Sequence, residues 1–96
     1  MTIHGTARFT VKHGELETAL EAIRAFVAHA RSEPGTLRYD SFRSADRPNE
    51  FLHVMEFVDE HAERAHGSSD AVQAFTAVLY PTCVEEPSFD RWLPAV

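Results

Sequence analysis

The sequence predicts an α+β protein of ferredoxin-like architecture, a βαββαβ chain that forms one four-stranded antiparallel sheet with two helices on one face. Three observations carry that expectation. Apolar residues recur with a period of two from Thr2 to Val11 and with a helical period from Glu15 onward, and further strand-like and helix-like segments complete the order strand, helix, strand, strand, helix, strand. The intervening segments are short and rich in Gly, Pro, Asn, Asp and Ser, which is turn chemistry. No repeat, low-complexity tract or linker interrupts the 96 residues, so residues 1–96 form a single domain.

The first strand covers Thr2 to Val11, where Ile3, Gly5, Ala7, Phe9 and Val11 alternate with Thr2, His4, Thr6, Arg8 and Thr10. Gly5 and Ala7 are small and leave space on the apolar side. After the turn Lys12-His13-Gly14, a helical stripe of Leu16, Leu20, Ile23, Val27 and Ala30 begins at Glu15, flanked by Ala19 and Phe26. Ser32-Glu33-Pro34-Gly35 is expected to stop this helix, because proline removes a donor and glycine tolerates positive φ. A second strand follows from Thr36 to Arg43. It pairs as a hairpin with Phe51 to Val58 across the loop Ser44 to Glu50. Asp59 is placed to cap a helix starting at Glu60, and Gly67-Ser68-Ser69-Asp70 interrupts that helix. Ser69 or Asp70 then caps a second piece, with Val72, Phe75, Val78 and Leu79 on its apolar side and Pro81 at its end. Ser88 to Leu93 supplies a short last strand.

Composition narrows the range of functions. With 44% hydrophobic and 25% charged residues the chain is an ordinary globular domain. A formal charge of -6 and a pI near 5.4 argue against nucleic acid or an anionic membrane surface as partner. The lone Cys83 has no partner for an internal disulfide and reads as a small apolar core residue. The first residues lack the basic and apolar regions of a signal peptide and no apolar run approaches membrane-spanning length, so a cytoplasmic protein is expected.

The third strand is apolar on both parities. Phe51, His53, Met55 and Phe57 alternate with Leu52, Val54, Glu56 and Val58, so both sides of this strand require cover. The helices cover one, and a second copy of the sheet is the simplest cover for the other, which predicts a homodimer. Glu56 stands out, since an unpaired buried carboxylate costs several kcal/mol or neutralises. The reading places it under the helices with Leu52 and Val54, and places His53 at the dimer contact.

Ser32-Glu33-Pro34-Gly35-Thr36-Leu37-Arg38-Tyr39, the strand ending Met55-Glu56-Phe57, Ala62, Ala65-His66 and Gln73-Ala74-Phe75 together resemble the antibiotic biosynthesis monooxygenase (ABM) domain family. The resemblance spans nearly the whole chain. It implies a dimeric α+β barrel of two sheets packed face to face, with a pocket between sheet and helices. It also implies one of the family's activities, which include cofactor-independent oxidation of anthrones and quinols, haem degradation and processing of a signalling molecule. Departures from the pattern are Val58 where a tryptophan is frequent, Gly67 where a leucine follows the histidine, and Ala71 in place of a second histidine. The positions that serve haem degraders hold Ala7, Ala65 or His66, and Phe75 or Thr76, which does not favour haem.

The preferred reading is a monooxygenase that needs no cofactor or metal and oxidises a small anthrone- or quinol-like aromatic with dioxygen. Its apolar pocket is expected to be lined by Ala7, Phe9, Leu52, Val54, Val58 and Phe75. His66 is the expected base, because imidazole can remove a phenolic or carbon-acid proton near neutral pH. Glu56 would hold it in one tautomer, and Tyr39 would donate to a substrate oxygen. The bland alternatives are a structural hydrogen bond between Glu56 and His66 and a half-buried strand tyrosine. A non-catalytic small-molecule-binding dimer is the alternative function. Metal ligation is not indicated, since His61 and His66 are five apart and face different sides of a helix.

Overall fold

A computed structural model describes Met1 to Val96. Strand β1 (Ile3–Thr10) leads into helix α1 (Leu16–Ser32), and the hairpin β2 (Thr36–Arg43) and β3 (Glu50–Phe57) follows. Helices α2 (Glu60–Gly67) and α3 (Asp70–Leu79), a single 3-10 turn at Tyr80–Thr82 and strand β4 (Ser88–Trp92) complete the chain. The sheet is antiparallel throughout, in the order β2-β3-β1-β4. The ferredoxin-like expectation holds, with the second helix divided in two where Gly67-Ser68-Ser69 breaks it. No helix is long and apolar enough to cross a membrane.

Local chemistry sets the helix ends. Asp59 accepts a hydrogen bond from the Ala62 amide at 2.9 Å and starts α2, and the Ser69 hydroxyl accepts from the Val72 amide at 3.2 Å and starts α3. Pro81 forces the chain out of α3 into the 3-10 turn. In the sequence reading Gly35 served positive φ, and here the structure differs: the only positive-φ residue is Gly14, at φ 87°. Gly35 is needed instead for close approach, because a Cβ there would stand 2.4 Å from the Cβ of Ala62. That contact seats the first turn of α2 against the start of β2.

The core fills the space between sheet and helices. Ala19, Ile23, Phe26, Val27 and Ala30 of α1 are buried against Phe9, Tyr39 and Phe51 of the sheet and Leu79 of α3. Phe26 stacks on Phe75 at 4.1 Å and meets Tyr39 edge-on at 5.4 Å. Cys83 closes the cluster, bridged to Val11 in a short antiparallel pairing, and burial pushes its thiol up from the ordinary value.

Register decides which face of β3 meets the helices. Ile3, Gly5, Ala7 and Phe9 lie opposite Phe57, Met55, His53 and Phe51, and directly opposed residues share a face. Phe51, His53 and Phe57 are therefore buried under the helices. Leu52, Val54 and Glu56 lie on the open face, the reverse of the orientation expected from the sequence. The physical reason is that the helix-facing side of β1 is unambiguous, and β3 must present to α1 the parity that pairs with it.

Candidate functional site

Between the sheet and the helices lies a cavity of about 350 Å³. Its floor is Ala7, Phe9, Tyr39, His53, Met55 and Phe57 from the strands, its roof comes from Phe26, Val72, Phe75 and Leu79, and Phe89 of β4 stands at its rim. Ala7 carries a small side chain opposite His53 and leaves room in the floor, as the small residues of β1 foreshadow in the sequence, whereas at Gly5 the Met55 side chain takes up the space. Ligand pockets run from about 300 Å³ upward, so this one suits a small aromatic molecule. A second hollow of about 300 Å³ between α1 and α3 is lined by apolar side chains and His29.

Two histidines line the larger cavity. His66 from α2 is held by Glu33, whose Oε1 lies 2.7 Å from Nδ1. Glu33 caps the carboxyl end of α1, where its own amide donates to the Ala30 carbonyl, and the turn through Pro34 and Gly35 fixes it. A register irregularity between Thr36 and Arg38 brings Thr36 onto the inner side beside Phe57, so that its hydroxyl donates to the same Glu33 Oε1 at 2.9 Å. The carboxylate thus has two donors and a set direction. With Nδ1–H donating to Glu33, the remaining ring nitrogen of His66 is the basic one, and the ring is fixed among Phe26, Tyr39 and Phe57 at centroid distances of 5.0 to 5.7 Å.

His53, from the middle of β3, is 1% exposed. Its Nδ1 lies 2.8 Å from the Tyr39 hydroxyl. Burial pushes the imidazole down to about 4, so the ring is neutral at physiological pH. Tyr39 moves the other way: burial, and then the negative charge of Glu33, hold its phenol far above the ordinary value.

Several sequence-predicted site residues change place. His66, Tyr39, Ala7, Phe9 and Phe75 do line the cavity. Glu56 does not: it lies on the open face within 3.6 Å of Arg38 and 3.8 Å of His4, its cross-strand neighbours. The partner of His66 is Glu33, from the turn that the sequence reading used only as a helix stop. Leu52 and Val54 share the open face with Glu56, and Val58 is 46% exposed beyond the end of β3, where its amide bonds the Gly35 carbonyl. None of these three contributes to the wall. Tyr39 directs its hydroxyl at His53, whose Nδ1 lies 2.8 Å away. His53 was expected at a dimer contact, and the signal that would have placed it is the pairing of β3 with the one-sided strand β1.

The mouth of the cavity carries an ion pair between Glu63 of α2 and Arg91 of β4. No lysine or arginine lines the wall.

The sequence profile of the antibiotic biosynthesis monooxygenase family matches residues 2–78. Among solved structures, the protein SO0527 from Shewanella oneidensis is 30% identical, with a TM-score of 0.86 over 95% of this chain and 88% of that one. Rv0793 from Mycobacterium tuberculosis is 19% identical with a TM-score of 0.92, covering 100% of this chain and 97% of its own. A Nitrosomonas europaea protein, provisionally described as an antibiotic biosynthesis monooxygenase, is 20% identical with a TM-score of 0.92 over 98% and 90% of the two chains. Below 25% identity such likeness establishes the shared fold. No curated protein sequence matches the chain significantly.

Proposed function

The chain belongs to the antibiotic biosynthesis monooxygenase family, and from that premise we propose that it oxidises a small anthrone- or quinol-like aromatic with dioxygen in the cavity under its helices, without a cofactor. The observation that carries this reading is a directed base in an aromatic cavity: His66, tied through Nδ1 to Glu33 at 2.7 Å, lines a volume of about 350 Å³.

In this mechanism His66 removes the acidic proton of the bound substrate, and Glu33 stabilises the imidazolium that forms. The resulting carbanion or phenolate is electron-rich enough to reduce dioxygen by one electron, and recombination places a peroxide on the same carbon. Loss of water from that peroxide leaves a carbonyl, so one oxygen atom enters the substrate and the other leaves as water. His66 returns its proton to the departing hydroxide. The surrounding apolar side chains exclude bulk water and hold the substrate flat against the aromatic walls.

The proposal includes a homodimer through the open face, as the doubly apolar β3 suggests. Leu52 and Val54 lie there beside Phe42, 49% exposed, and Trp92, 54% exposed. Charge at its edges is internally matched, since Arg38 pairs with Asp40 at 2.6 Å and lies 3.6 Å from Glu56.

Oxygen uptake with a panel of anthrone and quinol analogues, run with and without a chelator, tests the activity. Turnover insensitive to the chelator is expected, with His66→Ala lowering kcat by roughly 10²–10⁴-fold, the usual contribution of a positioned base. Glu33→Gln is expected to lower kcat with little change in KM, because the ring keeps a partner but the imidazolium loses its counter-charge. Binding of these analogues without any oxygen consumption would replace the oxygenase reading with that of a binding module.

A further inference from the structure

We propose that the cavity selects an aromatic ligand bearing a neutral carbonyl-type oxygen, and that the Nε2–H of His53 is the donor that binds this oxygen. The inference rests on the cavity being the substrate site and does not require that oxidation occurs there.

The first support is an orphaned atom. His53 Nε2 is the one buried side-chain nitrogen or oxygen in the chain without a hydrogen-bond partner. Buried polar atoms are nearly always paired, and a donor left without a partner is costly. His53 lines the cavity with its Nε2 itself covered, so a ligand oxygen that enters satisfies it as the covering side chains give way.

The second support is the direction of the Tyr39–His53 bond, which makes this nitrogen a donor. Tyr39 and His53 share a single hydrogen bond, at 2.8 Å. Either direction makes that one bond and leaves one donor and one acceptor of the pair over. A phenol is the stronger hydrogen-bond donor of the two and an imidazole nitrogen the stronger acceptor, so the phenol donates to Nδ1 and the neutral ring carries its proton on Nε2. Burial keeps the imidazole neutral and the phenol protonated, so neither group ionises to upset this assignment.

The walls define the rest of the ligand. Phe9 meets the His53 ring edge-on at 5.1 Å and Phe75 lies nearly parallel to it at 6.4 Å, so a flat hydrocarbon body fits beside the donor. The wall has no lysine or arginine, and its one carboxylate, Glu63, is already matched by Arg91 at the mouth, so no free cation is there to receive an anionic ligand and a neutral oxygen is the matching acceptor. A donor at that oxygen also stabilises the negative charge that would develop there when a neighbouring proton is removed. Tyr39 acts here as a positioning residue, since its hydroxyl is engaged in fixing the His53 tautomer.

The test compares α-tetralone with tetralin, which share their bicyclic skeleton and differ in the carbonyl, by calorimetric titration of the intact protein. Wild type is expected to bind the ketone at least about tenfold more tightly, the scale set by satisfying one buried donor. His53→Phe is expected to bring the ratio near one while tetralin still binds, and Tyr39→Phe to lower it in part. Long-range proton–nitrogen NMR of the wild type should show the His53 proton on Nε2 and a shift of that nitrogen when ketone is added; this decides the matter even if the variants fold poorly. Equal affinity of wild type for the two compounds, binding of neither, or a proton on Nδ1 would each overturn the inference. Ketone preference without oxygen consumption keeps the donor and removes the oxygenase; turnover without ketone preference does the opposite.

Discussion

Acidification should unfold this protein through His53, and the size of the effect follows from its burial. The folded ring takes a proton only near pH 4, against an ordinary value of 6.5, and desolvation is the cause, with no charged neighbour contributing. Between those two pH values the unfolded chain binds a proton at this position that the folded chain refuses. Stability therefore rises with pH across the window: it is fully present above about pH 6.5 and lost as pH falls towards about 4. The gap between 6.5 and about 4 is worth about 3 kcal/mol in total, of which about 2 kcal/mol is gone by about pH 5. For a domain of this length that is roughly 8–16 °C in Tm. Thermal and urea unfolding followed by circular dichroism at a series of pH values, for wild type and for His53→Gln, isolates the contribution. Acid titration of carboxylates such as Asp40, held below its ordinary range by its hydrogen bond from Arg38, is common to both proteins and cancels in the difference. Parallel pH profiles for the two proteins between pH 7 and 5 would refute the reasoning.

Gly35→Ala should destabilise the fold by roughly 1–3 kcal/mol, because its Cβ would stand 2.4 Å from that of Ala62 and must displace α2. The same displacement carries His66 away from Glu33, so oxygen consumption should fall further than the fraction unfolded measured by circular dichroism. Val54→Asp, on the open face, should convert a dimer to a folded monomer in analytical ultracentrifugation; unchanged sedimentation would remove the face as an assembly surface.

The fold was legible because most of its determinants are local. Periodicity marks α1, the caps at Asp59 and Ser69 act within three residues, and Pro81 ends α3 where it stands. The site was legible only in part, because its pairings are not local. Glu33 and His66 are 33 positions apart, and the turn between α1 and β2 carries a helix-stopping signal strong enough to account for Glu33-Pro34-Gly35 without any partner. His66, by contrast, could be singled out as a titratable imidazole ten residues after the strand carboxylate, in a pattern that resembles the family's.

Strand β3 shows why the sequence alone could invert a site. A strand with apolar residues on both parities gives no period-two preference, so either set can be placed under the helices, and the choice moves every side chain at once. Glu56 looked like the reactive group because a carboxylate in such a strand demands a partner. The demand is real, and Arg38 and His4 meet it from the neighbouring strands on the open face. What the helix-facing side demands is different: Tyr39 supplies one hydrogen bond to His53 and nothing in the chain supplies the other. Of Glu56 and His53, the charged residue is matched within the chain and the neutral one is not, so it is the quieter residue that points to the ligand.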